Sequence, residues 1–97
     1  MKQRQSATWM VQLDDRILEH LDEESWSSVA VMSSRSQFRA SKARIRDRCQ
    51  MLACSGLIAP LHHDMYEITN WGILYLKGEI DADHQPQPSR PDFQSNC

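Results

Sequence analysis

The sequence predicts a mainly α domain with one small β-hairpin, an α+β fold. Three observations predict it: an apolar helical stripe near the N-terminus, a capped basic helix in mid-chain, and two short apolar runs around a polar turn. The chain has 97 residues, of which 40% are hydrophobic and 25% charged, as in a single small globular domain. We therefore expect a folded domain over residues 8–83, after a flexible arm (1–7) and before a disordered, proline-rich tail (84–97).

The first helix is predicted over residues 9–21. Its apolar side chains recur at the spacing of one helical face, as Met10, Leu13, Ile17 and Leu21. Thr8 is the expected N-cap, because its hydroxyl can accept a backbone N–H of the first turn. The following "SWSS" predicts a short extended piece or a turn, with Trp26 buried.

The middle of the chain predicts two helices joined by a turn. The stretch "SVAVMSS" is compatible with a strand, because it contains β-branched residues, or with a short helix capped by Ser28, which we favour. The turn "RSQFRA" is expected to direct Phe38 into the core. Residues 41–55 then predict the clearest helix, with Ser41 as N-cap and Gly56 beyond its end. The buried stripe of this helix consists of Ile45, Cys49 and Leu52.

The last elements are a hairpin and a helix. The runs "LIAPL" and "MYEIT" flank "HHD" and predict two strands around a tight turn, with Pro60 suggesting an edge strand. Thr69 can cap a helix that continues through "NWGILYLKGEIDA". This helix would carry two apolar faces, which consist of Trp71, Leu74 and Tyr75 on one side and Ile73, Leu76 and Ile80 on the other. Trp71 and Tyr75 are the expected core anchors.

Charge is distributed very unevenly. The chain has a formal net charge of −2, yet residues 34–50 hold six bases and one acid, whereas residues 11–33 hold six acids and one base. The third helix is therefore expected to present a positive patch on an acidic body.

The order helix, short strand, helix, basic helix, hairpin, helix is that of a winged helix-turn-helix. The major groove of B-DNA accepts an α-helix, and phosphates attract Lys and Arg. We predict double-stranded DNA as the partner, with base contacts from Arg44, Arg46 and Gln50. Phosphate contacts are predicted from Arg35, Arg39, Ser41, Lys42 and Arg48. For His62 and His63 the alternatives are a wing contact to DNA, a plain polar turn and, least favoured, a metal site shared with a cysteine.

Three segments also resemble a known family. They are "QLDDRILEHLDEESW", "ASKARIRDRCQMLACSGLIAPL" and "MYEITNWGILYLKGEIDADHQP", and together they span about residues 8 to 86. These segments are similar to the winged-helix repressors of phage phi-H type from halophilic archaea. The resemblance implies a winged-helix fold, sequence-specific DNA binding and transcriptional repression.

The second apolar face of the last helix predicts a homodimer, because an exposed patch of that size is unusual in a small monomer. The expected interface residues are Trp9, Val11, Ile73, Leu76 and Ile80. A two-fold dimer would set two recognition helices about one DNA turn apart, so the operator would be an inverted repeat. The alternative is that the arm or the tail covers this face within one chain.

The sequence contains few motifs that are typical of other function classes. It contains no glycine-rich phosphate loop, no nucleophile elbow and no H-x-x-x-H pair, so we do not expect an enzyme, a cofactor or a metal site. Without a signal sequence or a long apolar run, a cytoplasmic, nucleoid-associated protein is expected. The competing interpretation is a winged-helix module that binds a protein partner and has no DNA-binding activity.

Overall fold

The structure is a computed structural model and describes residues 3–84. Within this range the chain forms four α-helices and a three-stranded sheet, of which the sequence predicts the helices and the hairpin. In chain order the elements are α1 Gln12–Glu24, β1 Trp26–Ser28, α2 Val29–Ser34, α3 Lys42–Cys54, β2 Ile58–Pro60, β3 Met65–Ile68, α4 Asn70–Leu76 and a short 3-10 turn Ala82–His84. The segment after β1 is thus a helix, as favoured, and β2 and β3 form the predicted hairpin.

The sheet is antiparallel with the order β1-β3-β2, so the "SWSS" segment joins the hairpin as an edge strand. Its register pairs Ser27 with Tyr66 and Trp26 with Glu67. Because side chains alternate along a strand, Ser27 and Tyr66 lie on the buried face. Trp26 lies on the opposite face and is 54% exposed. The prediction that Trp26 is buried is therefore wrong.

The core lies between the sheet and the helices. The apolar stripe of α1 is buried as predicted, through Leu13, Ile17 and Leu21. Phe38 from the turn is also buried. The core members with no exposed surface at all include Ile17, Leu18, Leu21, Val29, Met32, Ile45, Cys49, Leu52, Leu57 and Tyr75.

Helix α1 begins three residues later than its apolar pattern predicts. The N-cap is Val11 rather than Thr8. Asp14 explains this start, because its carboxylate accepts the backbone N–H of Val11 at 2.9 Å. An acid in the first turn also interacts favourably with the positive end of the helix dipole.

Helix α4 ends at Leu76, well before the predicted end. Gly78 has a φ of +75°, which an L side chain rarely adopts. Its N–H bonds to the carbonyl of Tyr75 at 2.9 Å, and the N–H of Glu79 bonds to that of Leu74 at 2.8 Å. These two bonds are a Schellman motif, which stops a helix. Ile80 is therefore not part of α4, and the predicted long two-faced helix is wrong.

Two aromatic residues of α4 were predicted to anchor it in the core, and only one of them is buried. Tyr75 has no exposed surface, whereas Trp71 is 50% exposed. The buried side of α4 also includes Gly72, where an added Cβ would lie 2.3 Å from the carbonyl oxygen of Leu57. This close approach of α4 to the end of the α3–β2 connection places Tyr75 in the core and leaves Trp71 outside.

The N-terminal segment, predicted as a flexible arm, is hydrogen-bonded to the domain through Arg4, Gln5 and Ser6. Arg4 donates to Glu19 of α1 at 2.6 Å and to the carbonyl of Leu76 at 3.2 Å. The carbonyl of Gln5 accepts the N–H of Ala82 at 2.9 Å, in a parallel bridge. This segment covers part of α4, as the alternative to dimerisation proposes.

The predicted tail falls outside the described residues from position 85 onward. No helix within residues 3–84 is both long enough and apolar enough to cross a membrane.

Candidate nucleic-acid interface

Two capped helices and the turn between them form the core of the candidate site. The hydroxyl of Ser28 accepts the N–H of Val31 and opens α2, and that of Ser41 accepts the N–H of Arg44 and opens α3, each at 3.1 Å. The inner face of α3 is buried through the predicted stripe of Ile45, Cys49 and Leu52. Both caps are predicted by the sequence, and they set where the exposed face of α3 begins.

The outer face of α3 lies opposite this stripe. Ala43, Asp47 and Gln50 are exposed there. By helical geometry Arg44 flanks this face on one side and Arg46 on the other. Asp47 makes no ion pair with any residue in the described part of the chain. The amide of Gln50 on this face, and the guanidinium groups of Arg44 and Arg46 beside it, have a chemistry suited to the edges of bases.

Four cations of the basic segment 34–50 are exposed. Arg35 and Arg39 lie at the two ends of the connection between α2 and α3, and Lys42 and Arg44 lie in the first turn of α3. Within residues 3–84 none of the four has an ion-pair partner, since the pairs found there involve only Arg4, Arg46 and Arg48. Their charge is therefore available to an external anion.

Arg48, predicted to contact phosphate, is placed in the interior. The residue is 7% exposed and Asp14 is fully buried. Arg48 donates to the two carboxylate oxygens of Asp14, from Nε at 2.9 Å and from Nη2 at 2.7 Å. Nη2 also donates to the carbonyl of Trp9 at 3.1 Å. A guanidinium committed in this way joins α3 to α1 and has no free face toward DNA.

Trp9 packs against the buried ion pair of Arg48 and Asp14. Its ring centroid lies 5.8 Å from the guanidinium carbon of Arg48, within cation–π range. The hydrogen bond with Asp14 raises the pKa of Arg48 above its ordinary value, so the group remains charged. The predicted interface role of Trp9 thus coincides with a packing role inside one chain.

Arg46 is held by the wing. Its Nε donates to Asp64 Oδ1 at 3.1 Å and its Nη2 donates to Oδ2 at 2.8 Å. Both side chains remain partly exposed, at 39% and 45%. The hydrogen bond from Arg46 keeps the pKa of the Asp64 carboxyl below its ordinary value. The recognition helix and the hairpin are therefore connected by a charged, half-exposed pair.

The tip of the wing carries the two predicted histidines. His62 and His63 are exposed, with ring centroids 4.1 Å apart. His63 has a φ of +53°, the left-handed conformation of a tight turn. No group of three or more His, Cys, Asp or Glu side chains suited to a metal occurs in the described part of the chain.

The predicted dimer residues do not form one free face. Val11 is 39% exposed, whereas Leu76 and Ile80 are half-buried against the core. Ile73 and Leu76 line an open cleft between α1 and α4, whose rim includes acidic side chains of α1. The free apolar surface of the predicted interface residues is therefore smaller than the sequence predicts. Trp71, on another side of α4, is half-exposed.

Sequence reasoning missed Asp14 and Asp64, the two acids that decide the roles of Arg48 and Arg46. Asp14 carries one usable signal, because acids are common in the first turn of a helix. The signal says nothing about a partner in α3. Asp64 follows "HH" in a polar turn and carries no signal of its own.

Comparison with known proteins agrees with this geometry. The sequence matches the family of winged helix-turn-helix phage repressors over residues 1–87. The chain is also similar to the crystal structure of the PhiH1 repressor-like protein from Haloarcula marismortui, with 39% sequence identity and a TM-score of 0.85, over 90% of this chain and 99% of that one. No curated protein matches the chain. The resemblance seen in the sequence is thereby confirmed: the chain belongs to the winged helix-turn-helix phage repressor family.

Proposed function

We propose that this protein is a sequence-specific, double-stranded DNA-binding repressor of transcription that acts on the chromosome in the nucleoid. The observation that carries the proposal is the set of four exposed cations around the start of α3, none of which is ion-paired within residues 3–84, in a chain of net charge −2. Family membership supports the same function. Positive charge concentrated on one surface directs that surface toward phosphate and keeps the acidic body away from it.

Within this function α3 enters the major groove. Arg44 and Gln50 contact bases, because guanidinium and amide groups bind guanine and adenine bidentately. Arg35, Arg39, Ser41 and Lys42 contact phosphates, and His62 and His63 lie where a wing approaches the backbone. Arg48 has no part in phosphate binding while it is paired with Asp14.

The direct test is duplex binding measured by fluorescence anisotropy at several salt concentrations. A site selected from random duplexes serves as the specific probe. We expect Arg44→Ala to cost about 1–3 kcal/mol at that site and to relax base preference at one position. Lys42→Ala should weaken binding to all duplexes and reduce the salt slope by about 1.

Lys77→Ala is the matched control, since Lys77 is an exposed cation at the end of α4, away from the basic segment. It should leave affinity and salt slope nearly unchanged. If the variants of Lys42 and Arg44 behave like that of Lys77 on a selected site, α3 is not the DNA-binding element.

We also propose that the repressor is a homodimer that binds an inverted repeat, through α4 and the start of α1. The half-exposed Trp71 and the exposed Val11 support this, as do Ile73 and Leu76, which line the cleft between α1 and α4. A second copy would cover this apolar surface.

Sedimentation at tens of micromolar tests the dimer. Trp71→Asp and Val11→Asp should shift the protein to a monomer and weaken binding to the selected site. Trp26→Asp is the control, because Trp26 is a similarly exposed tryptophan that lies on the sheet. A monomeric unmodified protein, or equal effects of the two tryptophan substitutions, would refute this interface.

A further inference from the structure

Asp64 is linked to three elements at once. It belongs to the turn between β2 and β3, where the N–H of Met65 bonds to the carbonyl of His62 at 3.0 Å. Its own carbonyl accepts the N–H of Val29, the first residue of α2, at 2.9 Å. Its carboxylate holds Arg46 of α3 by two hydrogen bonds. The position of this carboxylate is therefore set by the helix-turn-helix itself as well as by the wing.

The two hydrogen bonds to Asp64 use only some of the N–H groups of the Arg46 guanidinium. A guanidinium has five N–H groups: one on Nε and two on each Nη. Asp64 takes the Nε proton and one Nη2 proton, which together form the side edge of the group. The end edge, made by Nη1 and the second proton of Nη2, has no partner among the described residues. This edge is a two-donor fork of the kind that binds O6 and N7 of guanine.

We propose that Asp64 is a positioning residue for base recognition: it orients Arg46 so that the free edge of the guanidinium reads a guanine in the major groove. The inference rests on the proposed DNA binding and deepens it. Arg46 flanks the outer face of α3, one turn after Lys42 and on the same side, and about 39% of its side chain remains accessible. A group restrained before binding loses less rotamer freedom on binding, which corresponds to about a two- to tenfold gain in affinity.

Two simpler roles predict different results. If the pair only holds the wing in place, its loss should weaken binding to every duplex by one common factor. If Asp64 only masks the charge of Arg46, its neutralisation should strengthen binding to every duplex. A positioning role instead changes the preference for one base pair.

The experiment compares Asp64→Asn with the unmodified protein on three duplexes: a selected site, the same site with individual guanines replaced, and a random sequence. Asp64→Asn should lower discrimination by about two- to tenfold, at the one position where Arg46→Ala also lowers it. In the Arg46→Ala background, Asp64→Asn should have no further effect on that discrimination. Binding to the random duplex should be unchanged or stronger, because a negative charge has been removed.

Asp47→Asn is the matched control. Like Asp64→Asn, it removes one negative charge, in this case from the outer face of α3. Asp47 makes no ion pair with Arg46 or any other described cation. It should raise affinity for the random duplex and leave discrimination at the Arg46 position unchanged. A melting curve for each variant checks that it is folded.

Arg46→Lys provides a second route that does not alter Asp64. A lysine retains the charge but cannot present a planar fork, so base discrimination should fall while affinity for the random duplex is kept. Uniform changes across all three duplexes, in either direction, would overturn the positioning role. A complete lack of duplex binding by the unmodified protein would instead overturn the proposed function, and the inference with it.

Discussion

The buried pair of Asp14 and Arg48 makes the sharpest prediction about this fold. Asp14 is fully buried, and its carboxylate accepts three hydrogen bonds: two from Arg48 and one from the N–H of Val11. Arg48→Met keeps most of the apolar stem but removes two of these three donors. A buried carboxylate with a single donor is poorly compensated, because a charge in a nonpolar interior needs both pairing and hydrogen bonds.

The expected cost can be bounded. Removing one partner of a buried ion pair destabilises proteins by roughly 3–5 kcal/mol. Retention of the Val11 hydrogen bond places this case at the lower end, at about 3 kcal/mol. For a domain of this size, such a loss corresponds to a fall in melting temperature of roughly 12–24 °C.

The assay is thermal and urea unfolding followed by circular dichroism. Arg44→Met is the matched control, since it removes from the same helix an exposed arginine that has no ion pair among residues 3–84. It should alter stability by no more than about 0.5 kcal/mol. In the double variant Asp14→Leu with Arg48→Met no charge remains buried, so it should recover at least half of the loss. If Arg48→Met melts within a degree or two of Arg44→Met, the pair does not stabilise the fold and the reasoning fails.

Three further predictions concern other elements. Gly72→Ala should destabilise the protein by about 1–3 kcal/mol in urea unfolding, although alanine favours helices, because its Cβ would lie 2.3 Å from the carbonyl oxygen of Leu57; a stabilised variant would contradict this packing. Ser41→Ala should cost about 0.5–2 kcal/mol, since it removes the acceptor for the N–H of Arg44, and an unchanged midpoint would show that the cap is not needed. Burial, with the charge of Arg35 as a further cause, lowers the pKa of His20, whose Nε2 lies 2.9 Å from the hydroxyl of Ser27, below the ordinary 6.5. The folded state therefore binds this proton less readily than the unfolded chain, so stability present above the unfolded pKa is lost as pH falls toward the folded pKa. His20→Gln should lose that part of the pH dependence, and an unchanged pH profile would show that His20 does not cause it.

The helix-turn-helix was predictable because its signals are local. Ser28 and Ser41 are caps that act within three residues, and the stripe of Ile45, Cys49 and Leu52 marks the inner face of α3 at helical spacing. The hairpin was equally local, since a polar turn separates two short apolar runs. For these elements the interactions that determine conformation lie within one or two turns of chain.

The ends of helices were less predictable, because apolar periodicity can continue past a stop. The last helix was predicted to reach Ile80, yet Gly78 ends it by adopting a positive φ. A glycine at position 78 is compatible with a helix end, but the apolar pattern on both sides of it favoured one continuous helix. Similarly, the pattern of α1 extends to Met10, but the carboxylate of Asp14 sets the start at Gln12.

The exposure of the aromatic residues depended on register and close approach. Trp26 and Ser27 are neighbours in the chain, and only the pairing of β1 with β3 decides which of them faces the core. Trp71 is excluded because Gly72 brings the backbone of α4 against the end of the α3–β2 connection. Hydrophobicity alone favours burial of both tryptophans, and it carries no information on which side of an element packs inward.

From the sequence alone follow the winged helix-turn-helix and its basic third helix, because these depend on periodicity, caps and local charge. The use of each cation follows only from the tertiary structure. Arg46 and Arg48 lie two residues apart in one basic run, yet one is held by Asp64 at the surface and the other by Asp14 in the interior. These partners are 18 and 34 residues away along the chain. An ion pair depends on distance in space and on burial, and neither quantity is encoded in the spacing of charges along a helix.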